Sequence, residues 1–258
     1  MNTFIDTHSH LDFEEFQEDF DDVITKTLEA GVTKTIIPGV TIPDTQRVIN
    51  LANKYNNLYA TVGIHPSEAK TWNNESYDFF KELILNNKKI VAIGEIGLDY
   101  YWDKSFNDIQ IEVLKRQIEL AKDVNKPIVI HDREAHQDTF DILKEMNASE
   151  VGVVMHCFSG SVEFMKQCIK ENFYIALGGV VTFKNAVKAK EVAKEIPLEF
   201  LLLETDAPYL TPVPHRGKTN YPYYIPLIAQ EIANLRGIPL EEIALATTAN
   251  AERIFDLN

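Results

Sequence analysis

The sequence predicts an α/β fold, a single-domain (β/α)8 barrel of the TIM type. Eight short β-branched runs recur along the 258 residues, and amphipathic runs separate them. The strand-like runs are apolar nearly throughout, which is typical of parallel strands covered by helices on both faces. Eight such units favour a closed barrel over an open, doubly wound sheet. We expect residues 1–258 to form this one domain, because no Pro-, Gly- or Ser-rich linker divides the chain.

The predicted strands alternate with predicted helices from the N-terminus onwards. In chain order, the strand runs are TFIDTH, KTIIPG, YATVGIH, IVAIGEIG, PIVIHD, GVVMHC, FYIALGG and FLLLETD. Phe16, Phe20, Val23 and Thr27 keep a helical period, and Gly31 follows as a C-terminal stop. A second apolar face with this period follows the fourth strand, at Ile111, Leu114, Ile118 and Ala121. The segment that ends ANAERIFDL predicts two more helices.

Composition and charge limit the classes of protein. Hydrophobic residues make up 45% of the chain and charged residues 25%, as in a globular protein with a sizeable core. We expect neither a membrane span nor a secretory signal. Two cysteines cannot form a disulfide framework, so we expect a cytoplasmic location. The net charge of −14 argues against a protein that coats duplex nucleic acid, but it allows a nuclease with a locally basic rim.

Metal-binding side chains collect at the C-terminal ends of the predicted strands, where the active sites of barrels lie. Five of the seven histidines follow such strands. Strand alternation predicts that His8 and His10 project together after the first strand, with Asp6 on the same side. Four imidazoles and two carboxylates at one barrel mouth are costly to desolvate without a cation. The sequence therefore predicts a metal centre, and its ligands are His8, His10, Glu95, His131, His156 and Asp206.

Six ligands are more than one open catalytic ion requires, so we expect two divalent metal ions. Glu95 is placed to bridge them. The remaining ligands divide into His8, His10 and Asp206 for one ion and His131 and His156 for the other. Two ions about 3.5–4 Å apart can hold a bridging hydroxide and clamp a phosphoryl group. Imidazole ligands favour Zn, Mn, Ni or Co, while nuclease chemistry also admits Mg.

Six motifs in this order resemble the TatD family of metal-dependent deoxyribonucleases, within the amidohydrolase-like TIM-barrel superfamily. They are IDTHSHLD, GIHP, VAIGEIGLDYYW, PIVIHDREA, VMHCFSG and LLLETDAPYLTP. The resemblance runs from Ile5 to about Ala251, and the family's ligand positions match the same six residues. It implies a barrel that binds divalent metals and cleaves DNA phosphodiester bonds. The fourth strand carries Glu95 where the wider superfamily often has a carboxylated lysine, which favours a phosphodiesterase over a ring hydrolase.

Three carboxylates are candidates for catalysis: the bridging Glu95, Asp206 and Glu204. Asp206 can be a plain ligand, or it can also accept the proton of the attacking water. Glu204 lies two residues earlier, and it can support a metal ligand from behind, act as a base, or pair with a barrel lysine or arginine. Cys157 directly follows a ligand, and strand alternation predicts that it points away from His156 into the core.

Further side chains at the mouth are candidates for substrate binding. The guanidinium of Arg133 suits phosphate, and Arg216 and Lys218 lie in the basic loop, TPVPHRGKTN. Tyr101 could stack on bases or pack on the barrel rim. His65 is a weaker candidate, because a lone histidine before proline is more often structural. Together with these residues, the resemblance to the TatD family implies DNA as the partner, bound as a single strand or at an end. We expect a protein that is most simply monomeric and not membrane-bound.

Two other functions compete with the nuclease. The same metal site could hydrolyse an amide or ester, for example as a D-aminoacyl-tRNA deacylase, and the basic loop is what favours a phosphate-bearing substrate. A metal-binding scaffold without enzymatic activity would need a closed coordination sphere.

Overall fold

Eight parallel strands, each paired with the next along the chain, form one sheet in the described part of the protein. The computed structural model describes residues 2–257, so the two terminal residues of the predicted domain lie outside the described residues. The strands are β1 (Phe4–Asp6), β2 (Val32–Gly39), β3 (Leu58–Val62), β4 (Ile90–Asp99), β5 (Ile128–Arg133), β6 (Val153–Met155), β7 (Tyr174–Leu177) and β8 (Leu201–Leu203). Each overlaps one predicted run. The predicted TIM barrel is confirmed.

The seam between β8 and β1 nearly closes this sheet into a barrel. The backbone N–H of Thr7 donates to the carbonyl of Leu203 at 3.0 Å. Just beyond the strands, Ser9 and Ala207 form a parallel bridge, and the N–H of His10 donates to the carbonyl of Ala207 at 2.8 Å. The two segments that carry predicted ligands are therefore bonded to each other.

Nine helices occur in the described residues, most of them between successive strands. They are α1 (Phe20–Glu29), α2 (Ile42–Lys54), α3 (Ser76–Asn86), α4 (Asn107–Val124), α5 (His136–Glu145), α6 (Val162–Lys170), α7 (Val187–Glu195), α8 (Ile225–Arg236) and α9 (Leu240–Phe255). The periodic face predicted after the fourth strand lies in α4, and the two helices predicted near the C-terminus are α8 and α9. None of these helices is long and apolar enough to cross a membrane.

The start of α1 differs from the predicted helix. Phe16 lies in a separate 3-10 turn, Glu14–Phe16, and α1 begins only at Phe20. The apolar period continues across the break because Phe16 is still fully buried. The predicted stop is correct, since α1 ends two residues before Gly31. A Cβ at Gly31 would lie 2.5 Å from the carbonyl oxygen of Asn2.

The barrel interior is apolar, and α9 covers its N-terminal end. Seven strands contribute buried side chains to this layer: Ile5, Ile36, Val91, Ala92, Val129, Val154, Ala176 and Leu202. Phe255 and Leu257 pack against this layer, and each contributes about 1.5–3 kcal/mol by its burial. Lys34, near the start of β2, donates to the carbonyl of Leu257 at 2.5 Å. With this end closed, the opposite mouth is left for the polar side chains.

Candidate metal centre

The structure brings all six predicted ligands together at the C-terminal mouth of the barrel. Glu95 and His131 lie on β4 and β5, whereas the other four ligands follow the ends of β1, β6 and β8. In each of the four histidines, one ring nitrogen lies within 4.0 Å of an oxygen of Glu95 or Asp206. Residues from distant parts of the sequence meet here because the C-terminal ends of parallel strands surround one opening.

The two oxygens of Glu95 face different groups of imidazoles. Oε2 lies 3.3 Å from Nε2 of His8 and 3.9 Å from Nε2 of His10. Oε1 lies 2.7 Å from Nδ1 of His131 and 3.7 Å from Nε2 of His156. This carboxylate is 5% exposed and stands between the two groups. This position would allow Glu95 to bridge two cations.

His8, His10 and Asp206 form a compact donor group on one side. The two Nε2 atoms of the histidines are 3.3 Å apart. Oδ1 of Asp206 lies 3.5 Å from Nε2 of His10 and 4.0 Å from that of His8. Tetrahedral ligands about 2.0–2.1 Å from a zinc ion are about 3.3 Å from each other. The donor atoms therefore fit a divalent cation in both chemistry and spacing.

His131 forms the other side together with His65. Nε2 of His65 lies 3.6 Å from Oε1 of Glu95, and its ring contacts that of His131 edge-on at 4.4 Å. His65, Glu95 and His131 can thus converge on one ion. The sequence suggested His65 as a substrate contact, but the structure places it against the metal cluster. Its Nδ1 accepts a hydrogen bond from the N–H of Ser67, which orients the ring.

Asp99 is a member of the site that the sequence analysis did not assign. Its Oδ2 lies 3.0 Å from Nε2 of His131, while Nδ1 of the same ring contacts Glu95. Glu95 and Asp99 are four residues apart on β4, so strand alternation could have placed them on one face. Gly97 between them lies opposite His131, where a Cβ would be 1.9 Å from its carbonyl oxygen. Only glycine allows this approach of the two strands.

Glu204 lies behind His156 rather than toward the opening. Its Oε2 is 2.8 Å from Nδ1 of His156, and its Oε1 accepts the N–H of Cys157 at 2.7 Å. The side chain is fully buried, with both oxygens engaged. We expected a candidate catalytic carboxylate, but this geometry makes Glu204 a positioning residue that directs Nε2 of His156 toward the centre.

Two orientations expected from strand alternation are wrong. Cys157 does not point away from the centre: its Sγ lies within 4.8 Å of a His156 nitrogen and an Asp206 oxygen. β6 ends at Met155 and Cys157 has a φ of 45°, so alternation no longer applies. Asp6, expected beside the histidines, instead accepts hydrogen bonds from the N–H and Oγ1 of Thr205 at 2.9 and 2.6 Å. Its burial raises its pKa to about 8.

The charges of the cluster suit a cation. Burial favours the neutral form of Glu95, but the surrounding imidazoles hold its pKa well below the usual range. Burial lowers the pKa of His8, and it lowers that of His65 to about 4, so both rings are neutral at neutral pH. For His131, burial is outweighed by hydrogen bonds to two carboxylates, and its pKa rises to about 9. An ion would have to displace a proton from this ring.

The predicted substrate-binding side chains lie at the same mouth in two places. Beyond β4 and β5, the guanidinium of Arg133 stacks 4.1 Å from the ring centre of Tyr101. In the basic loop, the guanidinium of Arg216 stacks 3.7 Å from the ring centre of Phe183 and donates to the carbonyl of Thr211. Lys218 is exposed. Both places present a cation to solvent, although part of Arg216 is used to hold the loop.

A mostly apolar cavity of about 390 Å³ adjoins the centre. Its wall includes Cys157, Phe158, Leu177, Val181 and Lys188. Because Sγ of Cys157 lies within 4.8 Å of donor atoms of His156 and Asp206, a group in this cavity would lie beside the donor atoms. The mouth therefore combines a metal-binding cluster with room for a small organic group.

Comparisons with known proteins agree with this geometry. A protein of Bacillus subtilis (strain 168), named uncharacterized metal-dependent hydrolase YabD, is 49% identical over 98% of this chain and 99% of its own. The 3'-5' ssDNA/RNA exonuclease TatD of Salmonella typhimurium is 34% identical over 96% of this chain and 97% of its own. The crystal structure of YJJV, a TatD homologue from Escherichia coli k12, superimposes with a TM-score of 0.93, 34% identity and 98% coverage of both chains.

The family model for TatD related DNase matches residues 5–256, which include every ligand predicted from the strand ends. The match spans the whole barrel, so it concerns the fold as well as the centre. This chain is a metal-dependent hydrolase and belongs to the TatD family.

Proposed function

We propose that this protein is a metal-dependent deoxyribonuclease that hydrolyses phosphodiester bonds of DNA, at single-stranded segments or strand ends. The observation that carries the proposal is the position of Glu95 between two imidazole groups, 3.3 Å from His8 and 2.7 Å from His131. A shared carboxylate between two donor groups is what a two-ion phosphodiesterase centre requires.

The ligands divide as their distances suggest. One ion would be held by His8, His10 and Asp206, the second by His131 and His156 with His65 beside them, and Glu95 would be shared. When bound, such ions polarise a phosphoryl oxygen and lower the pKa of a water molecule. The protein's own part is to hold the donors: Glu204 orients His156 and Asp99 orients His131.

Asp206 is the candidate to accept the proton of the attacking water. Its side chain is 15% exposed, against 5% for Glu95 and 2% for His8, so water reaches it more easily. The imidazoles around it, of which His10 makes the closest contact, hold its pKa below the ordinary value against the effect of burial. It is therefore ionised and able to accept a hydrogen bond from water.

The cations at the mouth favour a phosphate-bearing substrate over a neutral ester. Arg133 and Lys218 are exposed in a protein whose net charge is −14. Such isolated cations beside a metal centre suit a few phosphates of a strand rather than the long backbone of a duplex. The Salmonella relative is named for exonuclease activity on single-stranded DNA and RNA, which supports a nucleic-acid substrate for this chain.

A side-by-side assay tests the proposal. The metal-loaded protein would be given single-stranded DNA, duplex DNA, a D-aminoacyl-tRNA and a simple ester, each with Mg, Mn, Zn, Ni or Co. We expect the highest kcat/KM for single-stranded DNA. The Glu95→Ala variant, purified in the same way, controls for contaminating nuclease. Efficient deacylation of the aminoacyl-tRNA without cleavage of any DNA would refute the proposal in favour of the ester hydrolase.

A further inference from the structure

An exposed aromatic cluster stands at the barrel mouth beyond β4. Trp102 is 72% exposed and Tyr101 is 53% exposed. The two rings meet edge-on with centroids 4.9 Å apart. The guanidinium of Arg133 lies 4.1 Å from the ring centre of Tyr101 and 5.3 Å from the ring centre of Trp102. We call Tyr101, Trp102 and Arg133 the aromatic platform.

The backbone beneath the platform is firmly held. Oδ1 of Asp99 accepts hydrogen bonds from the N–H groups of Tyr101 and Trp102, at 2.9 and 3.4 Å. The N–H of Tyr100 donates to the carbonyl of Arg133 at 2.9 Å, and its hydroxyl donates to Asp138. These aromatic rings therefore stay in solvent although their backbone is ordered. Packing on the barrel rim, the alternative expected from the sequence, does not account for such exposure.

Arg133 is available to an anion. Its guanidinium contacts the two rings, and within residues 2–257 no carboxylate oxygen lies within 4.0 Å of it. The other five arginines of the chain each donate a side-chain hydrogen bond to a carboxylate or carbonyl oxygen, whereas the guanidinium of Arg133 makes none within residues 2–257. A guanidinium of this kind binds phosphate with its fork of N–H groups.

The platform is tied directly to the metal centre. Asp99 bonds the platform through Oδ1 and His131 through Oδ2, at 3.0 Å. Arg133 lies two residues beyond His131 on β5, a distance of about 7 Å along an extended strand. A base on the platform would therefore lie within a few nucleotides of a phosphate at the centre.

We infer that the aromatic platform stacks an unpaired nucleobase of the substrate, with Arg133 bound to the adjoining phosphate, and that this contact selects unpaired strands. The inference rests on the proposed nuclease function and adds the residues that set its substrate preference. Both faces of a base inside a duplex are covered by its neighbours, whereas an unpaired base offers a free face to Trp102 or Tyr101. Stacking of this kind tolerates every base, so it selects strandedness rather than sequence.

Kinetics with a base-free strand test the platform. The metal-loaded protein would cleave a single-stranded oligothymidylate and the same oligomer with abasic nucleotides near the scissile bond, which keep the phosphates. Stacking of one base is worth about 5- to 150-fold. We expect the abasic strand to lower kcat/KM by such a factor in the unchanged protein, and the Trp102→Ala, Tyr101→Ala double variant to cleave both strands equally. The single variant Trp102→Phe, which keeps an aromatic ring beside the native Tyr101, should still prefer the oligothymidylate over the abasic strand.

Two controls make the result specific. Phe79→Ala removes another exposed aromatic ring, on α3, and should leave the preference unchanged. Arg133→Gln should slow cleavage of both strands by one common factor, because both carry the phosphates. The inference is overturned if the double variant still discriminates against the abasic strand as the unchanged protein does. In that case DNA cleavage itself would continue, whereas failure of the proposed function would appear as no cleavage of either strand.

Discussion

Glu204 and His156 form a buried pair in which Oε2 of the carboxylate lies 2.8 Å from Nδ1 of the ring. With Nδ1–H as the donor, Nε2 of His156 is directed toward Glu95 and Asp206, 3.7 and 3.9 Å away. Burial lowers the pKa of His156, but the charges of Glu204 and Glu95 outweigh it and raise this pKa to about 10. The pair thus fixes the orientation of one ligand and makes it strongly basic.

Replacing Glu204 with Gln should weaken metal binding. His156 and the N–H of Cys157 bond different oxygens of Glu204, so in the amide one of these donors would face the NH₂ group. Loss of a carboxylate behind a ligating histidine costs about 10- to 100-fold in metal affinity or activity. Calorimetric titration of the metal-free protein measures the affinity. Glu112→Gln, exposed on α4, is the matched control, and equal affinity in both variants would count against the positioning role.

Removing the metal should lower the thermal stability. A ligand at 100 times its Kd stabilises the folded state by about 2.7 kcal/mol, which corresponds to about 5–10 °C in Tm for a chain of this size. We expect a chelator to lower Tm by that amount and added metal to restore it, measured by thermal denaturation. The Asp206→Asn variant should show a smaller difference in Tm between chelator and added metal. Identical melting curves with chelator and with excess metal would contradict the assignment of the ligands.

Removing two ligands at once should abolish hydrolysis without unfolding the barrel. Glu95→Ala and His131→Ala together delete the shared carboxylate and the ring that contacts it at 2.7 Å. On the second side only His156 and the neighbouring His65 remain, and the shared carboxylate is gone, so the second ion can no longer be held. Activity on DNA should disappear while the helical circular dichroism stays unchanged. Full activity in this double variant would exclude the two-ion mechanism.

The sequence predicted the barrel and the meeting of the ligands because both depend on short-range patterns. Apolar runs such as IVAIGEIG indicate buried parallel strands, and the topology then brings their C-terminal ends together whatever lies between. His8, Glu95 and Asp206, distant in sequence, could be placed at one mouth for this reason. No side-chain distance was needed for that conclusion.

The orientation of side chains beyond the strand ends could not be predicted in the same way. Alternation of side chains holds only while the backbone stays extended. Cys157 and Asp206 have φ values of 45° and 56°, so the chain turns at both positions. Asp6 was misplaced because its partner, Thr205, lies 199 residues away. By contrast, the role of Asp99 could have been recognised, since it shares the face of β4 with Glu95.

The pair of His136 and Asp132 should make stability depend on pH. Nδ1 of His136, at the start of α5, lies 2.7 Å from Oδ2 of Asp132, and this hydrogen bond raises the pKa of His136 although partial burial opposes it. A raised folded pKa contributes stability that is fully present below the unfolded value near 6.5 and is lost as pH rises through the folded value. Glu134 adds to the increase and Lys188 opposes it.

Urea denaturation of the unchanged protein and of His136→Asn, between about pH 6 and pH 9, measures this contribution. The free energy of unfolding should differ most between the two proteins at the acidic end, and the difference should shrink toward the alkaline end. The contributions of other titrating groups to the free energy of unfolding cancel in this difference, because both proteins contain those groups. A difference that is constant with pH would mean that the pair does not titrate in this range.

Lys218 provides the most selective test of the basic loop. Its side chain is exposed, whereas Arg216 also packs on Phe183 and bonds the carbonyl of Thr211, so removing the arginine would disturb the loop itself. We expect Lys218→Ala to lower kcat/KM for a single-stranded oligonucleotide several-fold and to reduce the slope of log affinity against log salt by about 0.7, the value for one phosphate of a single strand. Hydrolysis of a neutral ester, if it occurs, should not change, because the donor atoms of the centre are untouched.

Lys88→Ala, exposed just before β4 at the opposite end of the barrel, is the matched control and should leave the salt slope unchanged. An equal change in slope for both lysines would mean that only the net charge of the protein matters and that the loop does not contact the strand.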